Sequence, residues 1–343
     1  MQRARMKKRA RRAASKAPRR ARQTATAAPY HHLSHEGVMI SDIISGSAGG
    51  YATPEAMEFT YLLSNLTRTM QVIIYGSGIR AGRLIYSISE HGKGYGWHED
   101  SMPDLVSFLE KAGHQRVTYH VFPGDFWLRM QDRHAPNIGA NLHTFEAGLI
   151  AGFIGSSRRH SASAAESTCA LDGSGECMFS SSGAERRPAG RESIGRLVDH
   201  VSRAALAGKR KPEKKVPFAY YMLASGVLYD SAYIGAIKQV VAHVGAQIAQ
   251  NTIRGRKSVG TAIRAIELLG MGSPRLKSIS PIALDVRFAD RYARRELTEL
   301  SVAFISGLLN NLVAKNRMLE AATSHNRGTY TIRIREVRAA RDK

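Results

Sequence analysis

The sequence predicts an α+β fold in which one module is used twice, preceded by a disordered basic N-terminal tail. Three observations predict it. Helix-period and strand-period segments follow one another as helices, hairpin, helix, hairpin, and short matches repeat that order at offsets of 154–163 residues. The charge is also lopsided: 50 Lys and Arg oppose 28 Asp and Glu, a net +22, yet residues 1–28 alone hold eleven Lys/Arg and no carboxylate.

In that tail, Arg3 to Arg22 alternate basic residues with Ala around Pro18. Such a stretch has too little large apolar surface to offset the entropy of ordering. Arg9, Arg11, Arg12, Arg19 and Arg20 are candidate contacts to nucleic-acid phosphates, an interaction without sequence choice. A solubilising or targeting arm is the other reading, and no aromatic residue is interleaved for base stacking.

The first domain is expected over 29–182. Leu62, Leu63, Leu66, Met70, Ile73 and Ile74 recur at helical spacing within Ala52–Ile88, and Asp104–Ala112 forms a shorter helix ended by Gly113. The period then changes to two. Val117, Tyr119 and Val121, then Phe126, Leu128 and Met130 beyond Pro123-Gly124, read as a hairpin. Residues 138–156 return to helix, and Ser161–Cys169 with Cys177–Ser182 flank Asp172-Gly173-Ser174-Gly175 as a second hairpin.

Residues 183–216, with ten basic and four acidic side chains, read as a linker with one amphipathic helix carrying Ile194, Leu197, Val198 and Val201. The second domain, 217–337, repeats the pattern. Tyr61-Leu62-Leu63-Ser64 matches Tyr221-Met222-Leu223-Ala224, Gly82 matches Gly245, and Glu110-Lys111-Ala112-Gly113 matches Glu267-Leu268-Leu269-Gly270. Leu128–Asp132 falls against Val286–Asp290, Ala151-Gly152 against Ser306-Gly307, and Glu166 against Glu320.

At 43% apolar, the chain supports two cores of about 120–150 residues each. No run approaches the ~18 apolar residues of a membrane span, and no apolar segment follows the basic start as in a secretory signal. Two cysteines make no disulfide framework, so a reducing, cytoplasmic setting is expected.

Both cysteines belong to one constellation: Glu166-Ser-Thr-Cys169, seven residues, then Cys177, with His143 twenty-three residues before the Glu. A hairpin turn between the cysteines can bring both sulfurs to one side. Two thiolates, an imidazole and a carboxylate suit tetrahedral zinc, and four protein ligands make such a site structural. A cross-hairpin disulfide or two plain buried thiols fit the spacing as well. A second motif, Gly76-Ser-Gly78 through Gly82, matches a loose dinucleotide fingerprint, but the residues before it continue a helical period where that motif needs a strand.

Phe145-Glu146-Ala147-Gly148-Leu149-Ile150-Ala151-Gly152-Phe153, with Glu166-Ser-Thr-Cys169 and Gly175-Glu176-Cys177-Met178-Phe179, resembles the end of the 4-vinyl-reductase domain, a "predicted hydrocarbon-binding" module. The resemblance covers residues 52–182 directly and 217–337 through the repeat. It implies a fold similar to transport-particle (TRAPP) subunits and zinc on His143, Glu166, Cys169 and Cys177, with histidine where the family usually supplies cysteine. In the second copy Leu297, Thr323 and Tyr330 stand at the ligand positions, so zinc is expected in the first copy alone. Paired relatives imply that the two copies pack as a pseudo-dimer, with a further homodimer open.

The expected function is non-enzymatic: binding of a small hydrophobic or aromatic molecule, or regulation by it, beside a structural zinc. Tyr119, Phe122, Phe126, Trp127 and Phe153 are the candidate pocket residues. Two alternatives are a tetrapyrrole vinyl reductase or its accessory factor, and a TRAPP-like adaptor whose tail contacts nucleic acid.

Overall fold

Thr53 opens the helical part of the first half. Its Oγ1 accepts the Ala56 N–H, Pro54 occupies the first turn where no N–H is needed, and Glu55 faces the positive helix end. The computed structural model describes residues 34–93, 100–122, 125–131, 142–170, 175–182, 191–207, 216–229, 231–254, 259–279, 281–289, 292, 294–312, 318–326 and 329–337. The tail 1–28, both tight turns of the first-half hairpins, and 183–190 and 208–215 of the expected linker lie outside them.

The first half runs α1 (His35–Ser45), β1 (Tyr51–Ala52), α2 (Pro54–Ser64), α3 (Arg68–Lys93), α4 (Met102–Lys111), β2 (Gln115–Phe122), β3 (Asp125–Gln131), α5 (Thr144–Arg158), β4 (Ala165–Thr168) and β5 (Glu176–Ser180). After α6 (Arg191–Ala207) come β6 (Val216–Pro217), α7 (Phe218–Ala224), a 3-10 turn (Gly226–Tyr229), α8 (Ser231–Arg254), α9 (Val259–Leu268), β7 (Ser273–Ile279), β8 (Ile282–Ala289), α10 (Arg295–Asn310), β9 (Met318–Asn326) and β10 (Thr329–Val337). The fold is mixed helix and sheet. Each half carries one four-stranded antiparallel sheet, ordered β2-β3-β5-β4 in the first and β7-β8-β10-β9 in the second.

Two elements depart from the sequence pattern for local reasons. The helix expected over 52–88 is broken at Asn65, whose side-chain amide donates back to Tyr61 O and across to Leu142 O. Thr67 Oγ1 then accepts the Met70 N–H and starts α3 afresh. The expected linker helix is a 17-residue element of the core, burying Leu197, Val198, Val201 and Ala205 and tied to α8 through Asn251 and Asp199 at 3.1 Å.

Glycines set how closely α3 approaches α5. A Cβ built on Gly82 would stand 2.0 Å from Leu149 O, and one on Gly152 would stand 2.2 Å from Ile79 O. The α8–α10 pair repeats this at Gly245 and Gly307, against Phe304 O and Ala242 O. Backbone cannot swing aside as a flexible side chain can. Gly82→Ala is therefore expected to cost about 2–3 kcal/mol in urea unfolding. Gly76→Ala, on the same helix with nothing within 4 Å of its Cβ, should instead gain about 0.5–1 kcal/mol. Equal effects at the two sites would sink the close-approach account.

The halves meet through matched contacts. β1 and β6, which open each half, pair antiparallel through Tyr51↔Pro217 and Ala52↔Val216. Both α4 and α9 end on a left-handed glycine, Gly113 at φ 105° and Gly270 at φ 66°, in the same six-residue cap: His114 N to Leu109 O, and Met271 N to Ile266 O. Each cap touches the other half. Thr53 Oγ1 donates to Leu268 O, and His114 Nε2 lies 3.2 Å from the Tyr220 hydroxyl. Residues His35–Lys343 accordingly form one compact unit.

Candidate metal centre

Asn65 fixes the first donor. Besides holding Leu142 O, it accepts a 2.6 Å hydrogen bond from Thr144 Oγ1, so the residues on either side of His143 are clamped by one amide. His143 sits at the N-cap position of α5, the helix whose glycines lock it against α3. β4 carries Glu166 on its buried face, Cys169 follows that strand, and Cys177 lies on β5 opposite Met130 of β3.

The four donor atoms lie within 4.8 Å of one another, and all four residues are buried. His143 Nδ1 is 3.3 Å from Cys169 Sγ, 3.4 Å from Cys177 Sγ and 2.8 Å from Glu166 Oε1. The cross-hairpin disulfide is not made. Zinc bonds of about 2.0–2.3 Å put tetrahedral donors about 3.3–3.7 Å apart. The sulfur–nitrogen edges meet that span, and the carboxylate needs to open by about half an ångström. The surrounding shell is in place as well. Glu166 Oε2 accepts the His143 N–H at 3.2 Å, and Cys177 Sγ accepts the Ala170 N–H at 3.3 Å.

The electrostatics match a cation site. Burial pushes the Cys169 thiol well above its ordinary range, and the bond to Cys177 adds to that. Burial alone would lower His143, but the Glu166 carboxylate and Cys169 outweigh it and hold the imidazole well above its usual value. The cluster therefore keeps protons that a divalent ion would displace.

Behind this cluster lies a second buried set that the sequence pattern did not single out. Glu146, one helical turn after His143, accepts hydrogen bonds from the Tyr61 hydroxyl and, at 2.6 Å, from the Tyr220 hydroxyl. His114 Nε2 stands 3.7 Å from the same carboxylate oxygen. Burial pushes the Glu146 carboxyl up, but the His114 hydrogen bond, the charges of His143 and His114 and the Tyr220 hydroxyl more than offset it, leaving about 2. Both phenols are driven well above 10, by burial first and then by the Glu146 charge. The Tyr61 ring packs edge-on to His143, with centroids 5.0 Å apart. Tyr220 belongs to the second half, so the carboxylate joins the two halves directly behind the ligand set. A lone carboxylate inside the apolar run Phe145–Phe153 was the one signal for it.

No protein family, curated protein or solved structure matches this chain.

The five expected pocket residues do not share a surface. Phe126 and Phe153 are buried and Tyr119 packs against the core, whereas Phe122 and Trp127 stand on the opposite face of the β2–β3 hairpin. Strand alternation explains the split: Tyr119 opposes Leu128 on the inner face, while His120 opposes Trp127 on the outer one and stacks on it with ring centroids 5.8 Å apart. One cavity lies away from them, about 100 Å³ between α1, α3 and α7, with Met39, Ile73, Ser77, Arg80, Met222 and Arg294 on its wall. The glycine-rich fingerprint lies wholly within α3, so no strand-to-helix turn is formed there. In the second half, Leu297, Thr323 and Tyr330 lie on α10, β9 and β10. Arg9, Arg11, Arg12, Arg19 and Arg20 lie outside the described residues.

Proposed function

We propose that this chain is a non-enzymatic binding or regulatory protein of the 4-vinyl-reductase-like, TRAPP-like type, in which two sister modules pack as a pseudo-dimer around a structural zinc. The single observation that carries this is the convergence of His143 Nδ1, Glu166, Cys169 Sγ and Cys177 Sγ in one buried cluster. Two thiolates and one carboxylate would leave a zinc complex at −1, which the Ala170 and His143 N–H groups temper. Four protein ligands leave no open position for water or substrate, so the ion's work is to fasten the β4–β5 hairpin to the start of α5.

The pseudo-dimer reading is supported by the same strand order in the two sheets, the reciprocal β1–β6 pairing and the exchanged contacts of the α4 and α9 caps. Cofactor-dependent reduction and a nucleic-acid role for the tail gain no support from these contacts. A small hydrophobic ligand belongs to the proposal through the resemblance, and a reducing cytoplasmic setting through two cysteines that form no disulfide.

Native mass spectrometry of the intact protein, with elemental analysis, tests the reading directly. One zinc per chain is expected, and a retained small molecule would appear in the same spectrum. Metal-free protein that takes up no zinc on addition would remove the reading.

A further inference from the structure

We propose that the outer face of the second sheet docks on an anionic lipid bilayer. β8 and β10 turn Leu284, Val286, Ile332 and Ile334 into the core and set the alternate side chains on the outer face, where Arg287 and Arg333 are exposed. On that solvent face the register sets Arg275, Asp285 and Arg333 in one cross-strand row, and Ser273, Arg287 and Thr331 in the next. Lys277 and Arg335 share the Asp285 carboxylate, at 2.6 and 2.8 Å. Arg275, Arg287 and Arg333 meet no carboxylate among the described residues. Five cations thus surround one nearly buried acid, and Glu320, opposite Arg335 on β9, is the other acid of this face among the described residues.

Charge alone would suit any polyanion. A bilayer is favoured because two large apolar side chains stand together at one end of the same face. Met318 and Val337, paired across β9 and β10, are 65% and 40% exposed. In sequence, Lys315 and Arg317 precede Met318 and Arg338 follows Val337. A phosphodiester backbone gains nothing from these apolar tips, and no aromatic ring on this face among the described residues offers a base a stacking surface. A membrane surface uses both features: the headgroups attract the cations, and the apolar tips enter the boundary between headgroup and acyl chain. No helix among the described residues is long and apolar enough to cross a membrane, so the contact is with the surface.

Co-sedimentation of the full chain with vesicles tests this, using phosphatidylcholine alone and phosphatidylcholine with about 30% phosphatidylglycerol. Binding to the anionic vesicles only is expected. R275E/R287E/R333E should lower the bound fraction about tenfold, and the milder R275Q/R287Q/R333Q should fall between it and wild type. M318S/V337S should keep binding in about 0.1 M salt and lose the part that survives about 0.5 M. All these positions are exposed, so unchanged melting temperatures would show that folding is intact. Arginine variants that bind as well as wild type would place all membrane contact in the N-terminal tail and overturn the proposal. So would indifference to vesicles combined with arginine-dependent binding of a single-stranded RNA or of an acidic protein.

Discussion

Cys177→Ser is expected to reduce the zinc content of the purified protein to background and to cost about 3–5 kcal/mol in urea unfolding. The reason is local. Cys177 is buried on β5, its sulfur 3.4 Å from His143 Nδ1 and bonded to the Ala170 N–H. A serine hydroxyl is a poor zinc ligand and sits too far back to replace the thiolate. Without the ion, Glu166, Cys169 and His143 remain in a dry site with their charge balanced only by protons. A strong chelator should therefore lower the melting temperature of the wild type and leave Cys177→Ser unmoved. An equal drop in both proteins would mean that the cluster holds no metal of structural weight.

The second large effect concerns Glu146 and acid. The folded protein holds this carboxyl at about 2, below its ordinary 4.5. A depressed folded value means that the stabilisation is complete above the ordinary value and is lost as pH falls towards the folded one. The window is thus pH 4.5 down to about 2, and the loss is on the order of 3 kcal/mol. Acid also releases metal in this range, so the wild type alone is not decisive. Glu146→Gln keeps the shape, removes the charge and should lack this part of the pH dependence, with the urea midpoints of the two proteins converging as pH falls. Parallel pH profiles would show that the buried group is not ionised. Tyr220→Phe should cost about 1.5–3 kcal/mol, as expected for a lost hydrogen bond to a charged group.

Much of this arrangement was legible in the sequence because it depends on period and spacing. Val117, Tyr119 and Val121 alternate, and they fold into β2. Gly113 and Gly270 end α4 and α9 at matching places because only a residue free of Cβ crowding takes a left-handed cap cheaply. The clustering of His143, Glu166, Cys169 and Cys177 was readable because thiols are scarce in this chain and their spacing brackets a turn. What escaped depends on tertiary contacts between distant residues. Asn65 looks like any polar residue in a helical run, yet its amide ends α2 and holds the two neighbours of His143, seventy-seven and seventy-nine residues away. Tyr220 pairs with a carboxylate seventy-four residues earlier, and no local pattern encodes such a partner. The five expected pocket residues divide between two faces for a simpler reason. Phe122 and Trp127 are large and apolar, but alternation puts them on the face away from Tyr119 and Phe126.

The distance along the chain between Glu146 and Tyr220 also bears on synthesis. A ribosome adding about 5–20 residues per second makes Tyr220 roughly 4–15 s after Glu146. Once Cys177 is made, the nascent first half holds the whole His143–Glu166–Cys169–Cys177 cluster but lacks one of the phenols that quiet its central carboxylate, and β1 has no strand beside it. The edge at Tyr51 and Ala52 and the Glu146 carboxylate thus wait on residues made later, so the order of translation sets when the two halves can close on one another.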